Sequence, residues 1–446
     1  MNFFTIDRQT ARNQIHASNM NKIATLFCFA SFATALQAQT TDQISTGAGY
    51  SKFAYYKLAD GSSQQVPNEA WDIAFSNLGT QVAGIFINES TTTSMGQPLQ
   101  GMEAYDPYVF DFADVISPDD ILPEYQLFNP EISWAEGAFN TVADSTNAND
   151  YGWGEYDPAQ SKIIGNRVFV LKLRNGEYRK IIFDEYDGAQ FSFRVAKLDG
   201  SSQTSHTVAT AFGNGSPVAY FSLGPNGSNV VTPKNWDLVF CRYVAILDAG
   251  GSLVPYFVTG VLSADSVQVA RAAGVDPATV DYTAYLDSFS NRLDVINHDW
   301  KFFDLSQGWF VADDRAYFVK TPQNDLYKLV FTAFGGSTNG TATVQRTYIG
   351  KLTAAHDLPA GIGEVLVYPN PAADRLYLSF TAGVSAKASV RLLNSAGQTV
   401  WTGVSQTQAG LNVLEINHLP VLPSGVYTLQ VQSPAGQFSR HVVVGK

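Results

Sequence analysis

Between Val168 and Leu173 the chain alternates: Val168, Val170 and Lys172 fall on one face of an extended segment, Phe169, Leu171 and Leu173 on the other. Asn175-Gly176 follows, and then the apolar-rich run Tyr178-Arg179-Lys180-Ile181-Ile182-Phe183. Asn-Gly accepts positive φ at both turn positions, which suits the twist of a two-residue hairpin. The same period recurs at the other end of the chain, where Tyr427, Leu429 and Val431 interleave with Thr428, Gln430 and Gln432. There the pattern predicts six strands: Arg375–Phe380, Ser389–Leu393, Thr399–Val404, Asn412–Ile416, Val426–Val431 and Phe438–Val444, at the spacing of a small sandwich. The expected fold class is all-β.

Ahead of that tail the pattern is doubled. Tyr55-Tyr56-Lys57-Leu58, an Asp60-Gly61 turn and Trp71-Asp72-Ile73-Ala74-Phe75 are echoed by Tyr220-Phe221-Ser222-Leu223, an Asn226-Gly227 turn and Trp236-Asp237-Leu238-Val239-Phe240. A second block closes each copy. In the first it is Trp153-Gly154-Glu155-Tyr156-Asp157 and the hairpin around Asn175-Gly176. In the second it is Trp300-Lys301-Phe302-Phe303-Asp304, Arg315-Ala316-Tyr317-Phe318-Val319, a turn near Asn324-Asp325, and Tyr327-Lys328-Leu329-Val330-Phe331. Landmarks in matched order predict two copies of one β-rich unit, over 45–205 and 206–350. Trp71 and Trp236 are expected as core anchors. Asp72 and Asp237 are expected to bond a neighbouring turn or strand end, since no His or second acid is tied to either.

Three stretches break the strand pattern. Asp276-Pro277 reads as an N-cap with Pro at the first helical position, with Val280, Tyr285 and Leu286 as an apolar stripe. Glu103 to Asn140, rich in Asp, Pro and aromatics, reads as loop with short ordered pieces. Residues 351–364 contain Gly, Ala and Pro without periodicity and read as a linker to the tail at 365–446.

The chain has 446 residues, which favours two or three domains. Charged residues are 15% and aromatics 13%, with 21 Tyr and 29 Phe; a low charge content with many aromatics again suits strands. Net charge is −12 with no long basic run, which argues against nucleic acid and anionic membrane surfaces as partners. Residues 1–38 read as a leader: Met20-Asn21-Lys22 is a short charged region, Ile23–Leu36 an apolar one, and Ala33-Thr34-Ala35 or Ala38-Gln39 suits cleavage, with Met20 as the expected start. The apolar run is too short and alanine-rich to span a bilayer, and no other stretch is a candidate. Of the two cysteines, Cys28 lies in the leader and Cys241 in the body, so neither an internal disulfide nor a cysteine metal site is expected.

Pro369-Asn370-Pro371, Asn394-Ser395-Ala396-Gly397, Pro423-Ser424-Gly425-Val426-Tyr427 and the last strand occur in the order seen in type A C-terminal sorting domains of the type IX secretion system, which the tail resembles. The resemblance implies a small Ig-like sandwich read by the export machinery, removal by a sortase with a cut near Lys351 to Gly363, and cargo left on lipopolysaccharide or released. The duplicated units resemble the HmuY-like family of secreted β proteins: Tyr220 to Tyr243 fits its opening strand and Trp-Asp block, and Asn166 to Val195 its hairpin. That family's founding member carries haem on two histidines. The body offers His206 and His298, of which His298, just before Trp300, is the candidate haem ligand; Met95 and Met102 are the other soft donors nearby.

Asp144, Asn147, Asn149 and Asp150 form an oxygen-rich loop whose spacing does not match an EF-hand, so a solvated turn is expected. No nucleotide-binding glycine loop, HExxH or nucleophile elbow occurs. The expectation is a secreted or surface-held, non-enzymatic binding protein, without catalytic residues or a metal site. A haem or tetrapyrrole carrier is the alternative, and a secreted hydrolase with paired carboxylates the third reading.

Overall fold

The computed structural model describes residues 39–91, 101–224, 227–352, 362–368, 372, 376–394, 397–416, 422–434 and 436–444. The leader at 1–38, Met95, Asn226, Pro369-Asn370-Pro371 and most of the linker lie outside them. The architecture is all-β, built from antiparallel sheets.

Two strand pairings join segments far apart in the chain. Lys52–Tyr56 lies against Leu238–Asp248, with Leu238 opposite Tyr56 and Phe240 opposite Ala54. Val218–Ser222 lies against Ile73–Ser76, with Ile73 opposite Phe221 and Phe75 opposite Ala219. The two registers are the same once positions 165 residues apart are equated, as Tyr55 is with Tyr220. The aspartates repeat the equivalence. Asp72 receives the Leu223 N–H at 2.7 Å, and Asp237 receives the Leu58 N–H at 2.7 Å. Asp72 N–H donates to Phe221 O at 2.9 Å and Asp237 N–H to Tyr56 O at 2.8 Å. Asp72 thus fastens the end of Val218–Ser222 and Asp237 the end of Lys52–Tyr56, and Trp71 and Trp236 are both buried.

Such pairing extends to the larger sheets. Gln39–Ser45, which precedes the first opening strand, is the edge of a five-stranded sheet and pairs with Thr341–Lys351; Asp325–Phe334, Arg315–Lys320 and Gln268–Ala273 continue that sheet. Thr204–Ala209, which precedes the second opening strand, pairs with Gln190–Ala196 at the edge of the eight-stranded sheet containing Tyr178–Tyr186, Val168–Lys172 and Glu103–Val109. Two cores result. One joins residues such as Ile44, Phe53 and Tyr56 to Leu238, Tyr317 and Phe331. The other joins Phe75, Trp153, Phe169 and Phe183 to Val208 and Phe221.

Two segments differ from the pattern reading. Glu103–Val109 is a sheet strand: Ala104 and Tyr105 are buried, and Lys172 Nζ meets the Glu103 carboxylate at 2.9 Å across the Val168–Lys172 pairing. Its Asp and Pro masked that role. The helical turn does not start at Asp276. That carboxylate closes a turn with Ala278 N and Thr279 Oγ1 at 2.9 and 3.0 Å, and a 3₁₀ helix runs Tyr282–Ser288 with Asp281 capping Thr283 N. Of the expected stripe, Val280 and Tyr285 pack against the Phe318 cluster, joined by Tyr282 in place of the expected Leu286, and the helix is 3₁₀ and not α.

In the tail all six predicted strands form, with a seventh, Ile362–Tyr368, starting inside the expected linker. A three-stranded sheet of Ile362–Tyr368, Leu376–Ala382 and Gly410–Ile416 and a four-stranded sheet of Thr399–Thr407, Ala386–Leu393, Gly425–Ser433 and Gly436–Val444 close over one core containing Leu378, Phe380, Leu392 and Leu429.

Candidate functional site

Tyr55, on Lys52–Tyr56, and Tyr220, on Val218–Ser222, come together in the interior. Their hydroxyls share a hydrogen bond of 2.6 Å, and burial followed by this contact pushes Tyr55 well above the ordinary phenol range. Trp71 stacks flat on Tyr220 at 4.4 Å and Trp236 meets Tyr55 edge-on at 5.2 Å. Beside them lies a cavity of about 80 Å³ whose apolar wall includes Phe53, Phe86 and Trp134. The Trp71 indole N–H, in that wall, is buried without a hydrogen-bond partner.

Two glutamates enter the same wall. Glu89 follows the buried strand Ile85–Ile87 and is itself buried. Its oxygens accept the N–H groups of Asn129 at 2.8 Å and Val244 at 3.4 Å. Burial nevertheless pushes its carboxyl up to about 8, so it is largely protonated at neutral pH. Half-buried Glu131 is pushed up to about 7, by burial first and by the Asp294 charge second. Cys241 shares the cavity wall, but burial, and then the charges of Glu89 and Glu131, raise its thiol far above the usual range. It therefore offers no thiolate.

An apolar cavity with two acids of shifted affinity has the marks of a functional site. Its size limits what it can take. Ligand pockets commonly run to about 300–1,000 Å³, whereas this one holds a few waters or a very small molecule. Nothing in the local pattern pointed to Glu89 or Glu131, since each is an isolated acid; the one available signal was a carboxylate directly after the apolar run Ile85-Phe86-Ile87.

The two histidines are placed apart. His206, on Thr204–Ala209, faces a larger cavity of about 510 Å³ lined also by Asn175, Leu223, Gly224 and Gly227. Its ring packs on Phe193 and Phe221, Nε2 contacts Thr204 Oγ1 at 2.8 Å, and the Gly227 backbone lies against the Cε1–Nδ1 edge so closely that a Cβ there would collide. His298 is half-buried before Trp300. Its Nδ1 is sealed from solvent without a hydrogen-bond partner, and burial, then the Lys301 charge, lowers its proton affinity. Neither imidazole lines the cavity beside Tyr55 and Tyr220, and the 510 Å³ cavity includes His206 without His298. Met102 is buried in a hydrophobic core. Haem iron gripped on both faces needs two converging donors; His206 lies at the large cavity and Met102 in a core. Among the described residues there is also no cluster of three or more His, Cys, Asp or Glu suited to a metal ion. The Asp144–Asp150 loop spends its oxygens internally: Asp144 Oδ1 accepts from Thr146, Asn147 Oδ1 from Asn149 and Asp150 from Asp144 and Gly152.

Comparison with known proteins adds two family matches. Residues 366–445 match the secretion system C-terminal sorting domain, and residues 49–195 match the HmuY protein family. No curated protein matches the chain. Among solved structures, the chain is similar to PorZ, a bacterial surface component of the type-IX secretion system of Porphyromonas gingivalis, at 14% identity over 65% of this chain and 41% of that one, with a TM-score of 0.15. It is also similar to dimeric latent PorU from Porphyromonas gingivalis, at 10% identity over 91% of this chain and 34% of that one, with a TM-score of 0.16. The chain thus spans less than half the length of either, and scores this low carry no structural inference. No helix among the described residues is long and apolar enough to cross a membrane. The chain carries an HmuY-family segment at 49–195 and, at 366–445, a type IX sorting domain that directs it to the cell surface or beyond.

Proposed function

We propose that this is a non-enzymatic binding protein whose duplicated β body is the cargo and whose tail is the export signal. The observation that carries the reading is the sorting-domain match over 366–445, on a tail with its own sandwich core. In this reading the body is two copies of one unit with exchanged opening strands, supported by the equal registers and the paired Asp72 and Asp237 contacts. The acid pair of Glu89 and Glu131 sits in a cavity too small for a sugar ring or a peptide, which favours binding or structure over hydrolysis. The tail engages the export machinery and a sortase, with lipopolysaccharide as the anchor when the cargo is retained. The direct test of the routing role is sufficiency. A reporter carrying a leader and residues 362–446 reaches the surface or medium in a host with type IX machinery; retention in the periplasm contradicts the reading. A panel of polysaccharide and peptide substrates should show no turnover, and turnover lost in Glu89→Gln or Glu131→Gln would make the protein a hydrolase.

A second reading, a haem or tetrapyrrole carrier, is favoured by the HmuY match and by the about 510 Å³ cavity beside His206. His206 would have to give up Thr204 to serve as a ligand, and His298 would have to turn outward. Haemin titration followed in the Soret band decides it. No shift at micromolar protein removes the carrier reading. A shift lost in His206→Ala places the ligand in the large cavity, and one lost in His298→Ala places it before Trp300.

A further inference from the structure

Lys301–Asp304 and Gly308–Val311 form a two-stranded ribbon joined to no other described strand. The register sets Phe302 opposite Phe310 and Phe303 opposite Trp309. Because successive residues of a strand face opposite sides, each face of the ribbon carries an aromatic pair. Phe302 stacks on Phe310 at 5.4 Å, and Phe303 meets Trp309 edge-on at 5.2 Å. Phe302 and Phe303 are 54% and 55% exposed, and Leu305, in the turn, is 97% exposed.

The base is firmly held. Trp300 is buried and stacks on Phe331 at 4.1 Å, while Trp309 meets Phe334 edge-on at 5.0 Å. The Lys301 ammonium points inward, donating to Thr259 O and His298 O and lying over the rings of Trp300 and Phe334. The turn is closed by Asp304, whose Oδ1 accepts from Ser306 N at 2.7 Å and Gln307 N at 2.9 Å. A braced base therefore presents an ordered apolar tip.

A flat protein surface can cover one face of such a ribbon. Hydrocarbon surrounds both faces and the turn, and Phe, Leu and Trp are the side chains that enter the acyl boundary. Between Phe302 and Phe310 there is no Lys or Arg, and Asp304 is the one charge, so headgroup attraction has nothing to act on. The sorting domain delivers the chain to the surface or beyond, where lipid is at hand. We propose that the Phe302–Phe310 ribbon inserts into the hydrocarbon of a lipid bilayer, driven by burial of Phe302, Phe303 and Leu305 and not by anionic lipid.

The test is co-sedimentation of residues 39–446 with phosphatidylcholine vesicles, with and without added phosphatidylglycerol, at low and high salt. Binding is expected on the zwitterionic vesicles, insensitive to salt. Phe302→Ala, Phe303→Ala and Leu305→Ala should each weaken partition by about tenfold, the size expected for losing one buried large side chain. Leu305 is so exposed that its substitution cannot disturb the fold, and an unchanged melting temperature checks the others. Equal partition of the wild type and the triple variant overturns the proposal. So does binding that requires phosphatidylglycerol and vanishes in salt, or a wild type that ignores vesicles but forms a dimer which the triple variant loses, since the ribbon would then be a contact between copies of the chain.

Discussion

Glu89→Gln isolates the cost of placing a carboxyl in the cavity beside Tyr55 and Tyr220. Glu89 is buried, and its affinity for a proton rises from the ordinary 4.5 to about 8, chiefly through burial. The sign follows from which state holds the proton. Below the ordinary value both the folded and the unfolded chain carry a neutral carboxyl. Between 4.5 and about 8 only the folded chain keeps the proton, so stability falls by about 1.4 kcal/mol per pH unit. Above about 8 the loss is complete and amounts to about 5 kcal/mol. Glutamine keeps a carbonyl to accept the Asn129 N–H, now at 2.8 Å, and places its NH₂ near the weaker Val244 contact at 3.4 Å. It carries no titration. The NH₂ cannot accept the Val244 N–H, so the variant should lie about 1–3 kcal/mol below the wild type in acid and gain about 5 kcal/mol on it between acid and mild alkali. Urea unfolding at a series of pH values, followed by tryptophan emission, reads this directly, since Trp71 and Trp134 line the cavity. Glu131→Gln removes a charge that raises Glu89, so in that background the transition should move to lower pH. A difference between Glu89→Gln and wild type that does not change with pH would refute the reasoning.

Other outcomes follow from the same contacts. Tyr55→Phe or Tyr220→Phe alone strands one buried hydroxyl and should cost about 1–3 kcal/mol, while the double variant, which removes both hydroxyls, should cost clearly less than the two singles together in denaturant titration. Gly165→Ala would drive a Cβ into the Phe183 carbonyl on the neighbouring strand and should lower stability by about 1–3 kcal/mol, with a matching fall in melting temperature. Cys241, buried and with its thiol far less acidic than usual, should be silent to a thiol reagent in the folded protein and react fully in denaturant; rapid native labelling would place it at an opening the structure does not have.

Much of the fold is written in short-range pattern. The alternation at 168–173 with Asn175-Gly176 marks a hairpin because strand period and turn chemistry agree there, and the tail strands are clear for the same reason. Pairing partners are less legible. Tyr55-Tyr56 and Tyr220-Phe221 are chemically alike, so local composition cannot say whether each opening strand pairs within its own copy or with the other. Gln39–Ser45 is too polar to advertise itself, yet its backbone completes a sheet edge more than 300 residues away in sequence, as the Gln39–Gln345 contact with a separation of 306 shows. The roles of Asp72 and Asp237 could be foreseen because a lone buried acid after a core Trp has few uses other than receiving N–H groups. Glu89 and Glu131 could not, because the cavity wall they share is assembled from segments as distant in sequence as Phe53 and Leu293.

The central claim is that residues 366–445 carry the body out of the cell. Its most direct measurement compares full-length protein with a chain ending at residue 361 in a type IX host, using surface labelling and cell fractionation. The truncated protein should accumulate in the periplasm with its body folded, as shown by protease resistance equal to that of the intact chain. Normal appearance of the truncated protein at the surface or in the medium would contradict it.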